Sequence, residues 1–143
     1  MHMKKGFIAK ASVVINTSAS KVWKALTDPE MIKQYLFGTE AISDWKVGSS
    51  IIYRGVWEGK AYEDKGTVIR VEQNKLLEST YWSSMSGLAD KPENYKKVTY
   101  ELAADGDGTK LTITQDNNAT EEEKNHSEKN WEMVLGSLKK LLE

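Results

Sequence analysis

Three tyrosines on separate predicted strands are the residues best suited to bind a small molecule. Tyr53, Tyr81 and Tyr100 each lie in a segment whose residues alternate, so each side chain points to one face of its strand. A flat apolar ligand is held by aromatic walls carrying a few polar groups, and tyrosine supplies both. We therefore predict a cavity lined by these side chains. Tyr81 and Trp82 must point to opposite faces, and the alternation leaves open which of them is inside.

Charged residues of the same region offer a second chemistry, which is proton transfer. Arg54 and Glu78 could form a buried pair that orients a polar ligand or acts as an acid and a base. Arg54 directly follows Tyr53, however, so the two side chains face opposite sides of a regular strand. We therefore expect the charged residues of this region to face solvent: Arg54, Glu58, Glu63, Asp64, Glu78 and Lys96.

Metal sites and nucleophiles receive little support from the sequence. The chain has no cysteine and two histidines, which is too few for the usual nitrogen and sulfur ligand clusters. His126 lies about 140° around the predicted last helix from Trp131 and is expected to face solvent. The serines in Ser83 to Ser86 have no histidine nearby in the sequence, and no glycine-rich phosphate-binding turn occurs. We predict no metal, no cofactor and no catalytic residue.

Two short helices that meet at a corner follow the first predicted strand, Phe7 to Ile15. They lie in Ser18 to Tyr35, SASKVWKALTDPEMIKQY. Ser18 is suited to cap the first helix. Asp28 is suited to cap the second, with Pro29 at its first position, where a missing N–H costs nothing.

About six further strands separated by short turns are predicted, and a long helix ends the chain. In one strand Thr67, Ile69 and Val71 are expected on one face, with Arg70 and Glu72 on the other. Ser83 to Tyr95 is the longest irregular stretch and the expected mobile element. Thr120 to Glu123 is a capping box that opens the last helix. Its apolar face contains Trp131, Val134, Leu135, Leu138, Leu141 and Leu142.

This order of elements predicts the α+β class: a curved antiparallel sheet of about seven strands wrapped on a long C-terminal helix, with two short helices after the first strand. The 143 residues suit one domain, 1–143.

A net charge of −1 with interspersed signs argues against a nucleic-acid partner. No apolar run is long enough to span a membrane, and Met1 to Gly6 lacks a signal-peptide pattern. We expect a cytoplasmic protein.

Several segments resemble a known family. The corner together with SDWKVGS at Ser43 to Ser49 resembles the START-like superfamily, and within it the branch named for the activator of the heat-shock-90 chaperone ATPase. The resemblance continues in GTVIRVE from Gly66, GTKLTITQ from Gly108 and NWEMVLGSLKKLL from Asn130. It implies a helix-grip fold with a hydrophobic cavity between sheet and long helix. The superfamily includes binders of lipids, plant hormones and polyketides, some enzymes, and proteins that contact only other proteins.

The leading hypothesis is the binding of a small hydrophobic or aromatic ligand between the sheet and the C-terminal helix. We predict that the cavity is lined by Tyr53, Tyr81, Tyr100, Trp131 and Leu135, and that Ser83 to Tyr95 gates its mouth. The alternative is a chaperone-associated or other protein-interaction module. A third hypothesis is an enzyme that acts on a hydrophobic substrate through proton transfer by a tyrosine or carboxylate in the cavity.

Overall fold

A computed structural model describes residues 6–143 of the chain. The prediction that Met1 to Gly6 lacks a signal peptide concerns residues that, apart from Gly6, lie outside the described part of the chain. These described residues form seven strands: β1 (Phe7–Ile15), β2 (Glu40–Ile42), β3 (Ser50–Trp57), β4 (Lys60–Glu72), β5 (Leu76–Tyr81), β6 (Lys96–Asp105) and β7 (Gly108–Asn118). Three α-helices accompany them: α1 (Ala19–Thr27), α2 (Pro29–Tyr35) and α3 (Glu121–Leu142).

The seven strands form one antiparallel sheet in the order β1-β7-β6-β5-β4-β3-β2. Strands β2 to β7 run as a meander, because each pairs antiparallel with the next strand along the chain. β1 completes the sheet by pairing with β7, so the first and last strands lie side by side at one edge. The predicted fold class is confirmed.

The helix boundaries follow the capping residues. The Ser18 hydroxyl accepts a hydrogen bond from the backbone N–H of Lys21, and the Asp28 carboxylate accepts one from that of Glu30 at 3.0 Å. The Thr120 hydroxyl accepts from the backbone N–H of Glu123 at 3.0 Å. These bonds satisfy N–H groups that a helix leaves unpaired in its first turn, so local chemistry sets where each helix begins.

A register shift in β4 changes which of its residues face inward. The pairing with β5 is irregular between Val68 and Arg70, as in a β-bulge. Before the shift the buried residues are Asp64, Gly66 and Val68, and after it Val71 is the half-buried one. The prediction that Thr67 and Ile69 share a face with Val71 is therefore wrong, since both are exposed. A bulge inserts one residue into the alternation, and the sequence pattern assumed none.

The core lies between the inner face of the sheet and the helices. It includes Ile15 and Leu111 from the sheet, Val22 and Trp23 from α1, and Leu138 from α3. α3 packs most closely on β1, at one edge of the sheet. None of the helices in residues 6–143 is long and apolar enough to span a membrane.

Candidate functional site

A pocket of about 640 Å³ lies between the sheet and α3. It exists because α3 rests mainly on β1, while strands β3 to β6 curve around the other side of the helix. Side chains from β3 to β7 form its sheet wall, and α3 forms the opposite wall. The segment between α2 and β2 closes one end with Leu36, Phe37 and Thr39.

Four of the five predicted ligand-binding residues line this pocket, namely Tyr53, Tyr81, Tyr100 and Trp131. The rings of Tyr53 and Tyr81 meet edge to face with centroids 6.0 Å apart. Those of Tyr100 and Trp131 meet in the same way, also at 6.0 Å. Both contacts have the geometry that aromatic pairs prefer. The structure thus brings together side chains from three strands and one helix.

Leu135, the fifth predicted residue, lies elsewhere. It is 1% exposed and packs in the core, while Val134 before it lines the pocket. Successive helix residues point about 100° apart, so neighbours on an apolar helix face need not reach the same space. Leu135 therefore supports the packing of α3 and does not line the pocket.

The hydroxyl groups of the pocket tyrosines fall into two kinds. The Tyr81 hydroxyl donates a hydrogen bond to Asp64 Oδ2 at 2.7 Å. The Tyr53 and Tyr100 hydroxyls make no hydrogen bond to any residue in 6–143. Burial raises the pKa of both well above its ordinary value, and for Tyr53 the charge of Asp64 adds to the effect. Both hydroxyls therefore keep their protons at neutral pH and have them free to donate to a ligand.

Asp64 is a pocket residue that the sequence pattern placed on the wrong face. We expected a solvated side chain, but it is 7% exposed and lines the pocket. Its Oδ1 accepts hydrogen bonds from the Ser84 backbone N–H at 2.9 Å and from the Ser84 hydroxyl at 3.1 Å. No sequence signal could have shown this, because the inward phase of β4 depends on the bulge that follows Asp64.

Arg54 and Glu78, considered above as an acid–base pair and then expected to face solvent, do not pair with each other. Arg54 Nε contacts Glu63 Oε2 at 3.0 Å across the β3–β4 pair, and both side chains are about half exposed. Glu78 instead accepts a hydrogen bond from the Thr99 hydroxyl at 2.9 Å. Arg54 and Glu63 face solvent as expected, because they oppose each other on the outer side of the sheet.

A buried polar network closes the pocket near the start of α3. Trp131 Nε1 donates to Gln115 Oε1 at 3.0 Å, and the Gln115 amide donates to the Ser127 hydroxyl at 3.2 Å. Asn118, which is fully buried, accepts from Gln115 and Ser127. It also accepts from Lys96, whose ammonium lies 2.6 Å from Glu123 Oε1. These bonds fix the orientation of the Trp131 ring at the pocket wall.

The irregular segment Ser83 to Tyr95 is anchored at both ends. Ser84 is bound to Asp64, as described above. Lys65 pairs with Asp90 at 2.7 Å, and the ring of Trp82 stacks on that of Tyr95 at 6.5 Å. Trp82 thus packs against this segment while Tyr81 lines the pocket. Within the segment, Met85 reaches the pocket.

Large apolar side chains surround the pocket mouth and face solvent. Phe37, Val56, Trp57 and Met85 line the pocket, yet each is roughly half exposed or more, up to 70% for Val56. Exposed apolar residues that cluster in this way mark binding sites more often than isolated ones do. We refer to these four residues as the apolar rim.

The described residues contain no group of three or more histidine, cysteine, aspartate or glutamate side chains placed to hold a metal ion. The chemistry that the pocket offers is recognition: aromatic surface, two free hydroxyl protons and one buried carboxylate.

A protein family described as "Activator of Hsp90 ATPase homolog 1-like protein" matches residues 16–143. No protein with a curated description matches the chain significantly.

Solved structures share the fold along almost the whole chain. ChR145 from Cytophaga hutchinsonii is 48% identical, with a TM-score of 0.85, and the match covers 98% of this chain and 96% of ChR145. The Aha1 dimer from Colwellia psychrerythraea is 20% identical, with a TM-score of 0.72 and 96% of each chain covered. DynU16, from the dynemicin biosynthetic locus, is 20% identical with a TM-score of 0.78 over 94% of this chain and 46% of its own.

Proposed function

This chain belongs to the Activator of Hsp90 ATPase homolog 1-like family, and we propose that it binds a small, largely aromatic molecule in the pocket between the sheet and α3. The observation that carries the proposal is the pair of pocket hydroxyls on Tyr53 and Tyr100, which have no partner among residues 6–143. Both tyrosines are half-buried at the pocket wall, where a hydroxyl group normally has a hydrogen-bond partner. A ligand oxygen or nitrogen would satisfy both groups.

The size and lining of the pocket also support this function. Its volume of about 640 Å³ lies within the range of small-molecule sites. Aromatic walls bury the flat face of a ligand, and a few polar groups orient it. The raised pKa values of the tyrosines favour their role as neutral hydrogen-bond donors over proton transfer near neutral pH.

The test is an NMR titration of isotope-labelled protein with 1-naphthalenemethanol, a flat neutral probe. We expect the signals of Tyr53, Tyr100 and the Trp131 indole N–H to shift, and those of the outer sheet face at Thr112 and Thr114 to stay in place. Shifts confined to the outer face, or no shifts at millimolar probe, would contradict the proposal.

A variant that fills the pocket distinguishes probe binding in the pocket from probe binding on the surface. Val98 is buried and lines the pocket, so V98F should occupy part of the space and weaken probe binding at least about tenfold. Val14 is exposed on β1 and does not line the pocket, so V14F makes the same change where binding should be unaffected. Equal loss of binding in both variants would count against the pocket as the site.

The apolar rim favours a second function, the docking of a protein partner. Phe37 and Trp57 expose most of their side chains beside the pocket mouth, and the family is named for an effect on the Hsp90 ATPase. The direct test measures the ATPase rate of purified Hsp90 with and without this protein. We expect stimulation that a Phe37→Ser, Trp57→Ser double variant loses, and an unchanged rate at saturating protein would exclude this function.

A further inference from the structure

We propose that the ligand of this pocket is an amine, in which an aromatic frame carries a positively charged nitrogen that lies against Asp64. This inference rests on the proposed function, because it names the chemical class that the same pocket selects. It follows from the surroundings of one carboxylate and from the composition of the pocket wall.

The Asp64 carboxylate has hydrogen bonds but no counter-charge. Its three donors are the Tyr81 hydroxyl, the Ser84 backbone N–H and the Ser84 hydroxyl, and all three are neutral. No lysine, arginine or histidine among residues 6–143 forms an ion pair with it, since the neighbouring Lys65 pairs with Asp90. A buried charge without a partner of opposite sign is costly, and the usual remedy is a cation in contact with it.

Asp64, which lines the pocket, also has capacity for another hydrogen bond. Oδ1 accepts two hydrogen bonds, which use its two lone pairs, whereas Oδ2 accepts one, from Tyr81. An ammonium group carries donors only and would complete the set at Oδ2. The same ammonium would neutralise the carboxylate.

The aromatic walls suit a cation as well as an apolar frame. The faces of Tyr, Trp and Phe rings attract a positive charge, and the attraction strengthens where water is excluded. Tyr53 and Tyr81 stand next to Asp64 in this wall, and Tyr100 and Trp131 continue it. Asp64 is close enough to Tyr53 for its negative charge to contribute to the raised pKa of the Tyr53 hydroxyl.

Negatively charged ligands are disfavoured by the same composition. No lysine or arginine lines the pocket, and its one histidine among residues 6–143, His126, is exposed on α3. A ligand carboxylate next to Asp64 would therefore find no lysine or arginine to pair with. It would also bring a second negative charge next to Asp64, and like charges in a buried site repel strongly. The pocket should therefore reject fatty acids and aromatic acids of suitable size.

A charge series on one aromatic frame tests the inference with the unmodified protein. Calorimetric titrations at pH 7 would compare 1-naphthylmethylamine, 1-naphthalenemethanol and 1-naphthoate. We expect the amine to bind about tenfold or more tighter than the alcohol, and the acid to bind more weakly than both. If the alcohol binds as tightly as the amine or tighter, the amine inference is overturned while the proposed function stands. If none of the three binds, both fail.

Two variants, each close in shape to the residue it replaces, test whether Asp64 causes the preference for the amine over the alcohol. Asp64→Asn keeps the size and polarity of the side chain and removes its charge, so the amine should lose its advantage over the alcohol. Glu63→Gln makes the same change at the next residue, which is half exposed on the outer face and outside the pocket, and should keep the full preference. A preserved advantage in Asp64→Asn would overturn the inference. The charge series decides by itself if that variant does not fold.

Discussion

At the scale of single residues, burial changes the ionisation of several tyrosines, three of which line the pocket. Burial raises the pKa of Tyr35, Tyr53, Tyr81 and Tyr100 above the ordinary value of 10.0. The unfolded chain ionises these groups near that value, so above it the unfolded state binds fewer protons than the folded state. Stability that is present below about pH 10 is therefore lost as pH rises, by up to about 1.4 kcal/mol per pH unit for each tyrosine.

Chemical unfolding measured between pH 8 and 11 checks this prediction, and tyrosinate absorbance reports the ionisation. Tyr100→Phe removes one tyrosine whose pKa is raised. The free energy of unfolding of this variant should therefore fall less steeply above pH 10 than that of the unmodified protein. An identical slope for the two proteins would show that Tyr100 does not contribute.

At the scale of elements, one glycine permits the close approach of β4 and β5. A Cβ at Gly66 would lie 1.8 Å from the backbone carbonyl oxygen of Thr80, so neither strand could keep its position. We expect Gly66→Ala to lower the free energy of unfolding by more than about 2 kcal/mol and to disturb Asp64 two residues earlier. Denaturant unfolding measures the loss.

Gly136 provides the matched control. It lies in α3, and a Cβ there would meet nothing within 4 Å. Since alanine favours a helix by about 1 kcal/mol over glycine, Gly136→Ala should stabilise the protein. If both variants lose a similar free energy of unfolding, the contact with Thr80 is not the cause of the loss in Gly66→Ala.

The end of β7 is a second point where elements depend on one side chain. The amide of Asn118 donates to the Phe7 carbonyl of β1, and its oxygen accepts from Lys96 of β6 and Ser127 of α3. Asn118→Ala removes all of these hydrogen bonds at once from a fully buried site and should cost at least about 3 kcal/mol. Asn125→Ala, at an exposed site on α3, should change the free energy of unfolding by less than about 0.5 kcal/mol. Parallel denaturant titrations would compare the two variants, and a loss below 1 kcal/mol in Asn118→Ala would contradict the prediction.

At the scale of the whole molecule, occupation of the pocket should stabilise the fold. A ligand that binds only the folded state at 100 times its Kd adds about 2.7 kcal/mol to the free energy of unfolding. We therefore expect 1-naphthylmethylamine at that concentration to raise Tm by roughly 5–15 °C in calorimetry. The V98F variant should show a much smaller rise. Equal rises in both proteins would place the binding site outside the pocket.

Much of the fold follows from the sequence because the relevant interactions are local. Ser18, Asp28 and Thr120 cap the helices they precede, and the turns between alternating segments produce antiparallel neighbours. Alternation also allows the predicted aromatic residues to face one side of the sheet, and the structure places four of them at one pocket: Tyr53, Tyr81, Tyr100 and Trp131.

Other features were decided by the tertiary structure alone. Alternation shows which residues share a face, but not which face is inside, and one bulge changes that phase. The inward position of Asp64, its bonds to Ser84 and its lack of a counter-charge therefore depend on strand register. The offset of α3 onto β1 likewise creates the pocket and places Leu135 in the core. Such long-range packing leaves no signal in a local pattern, since it depends on how distant segments share one interior.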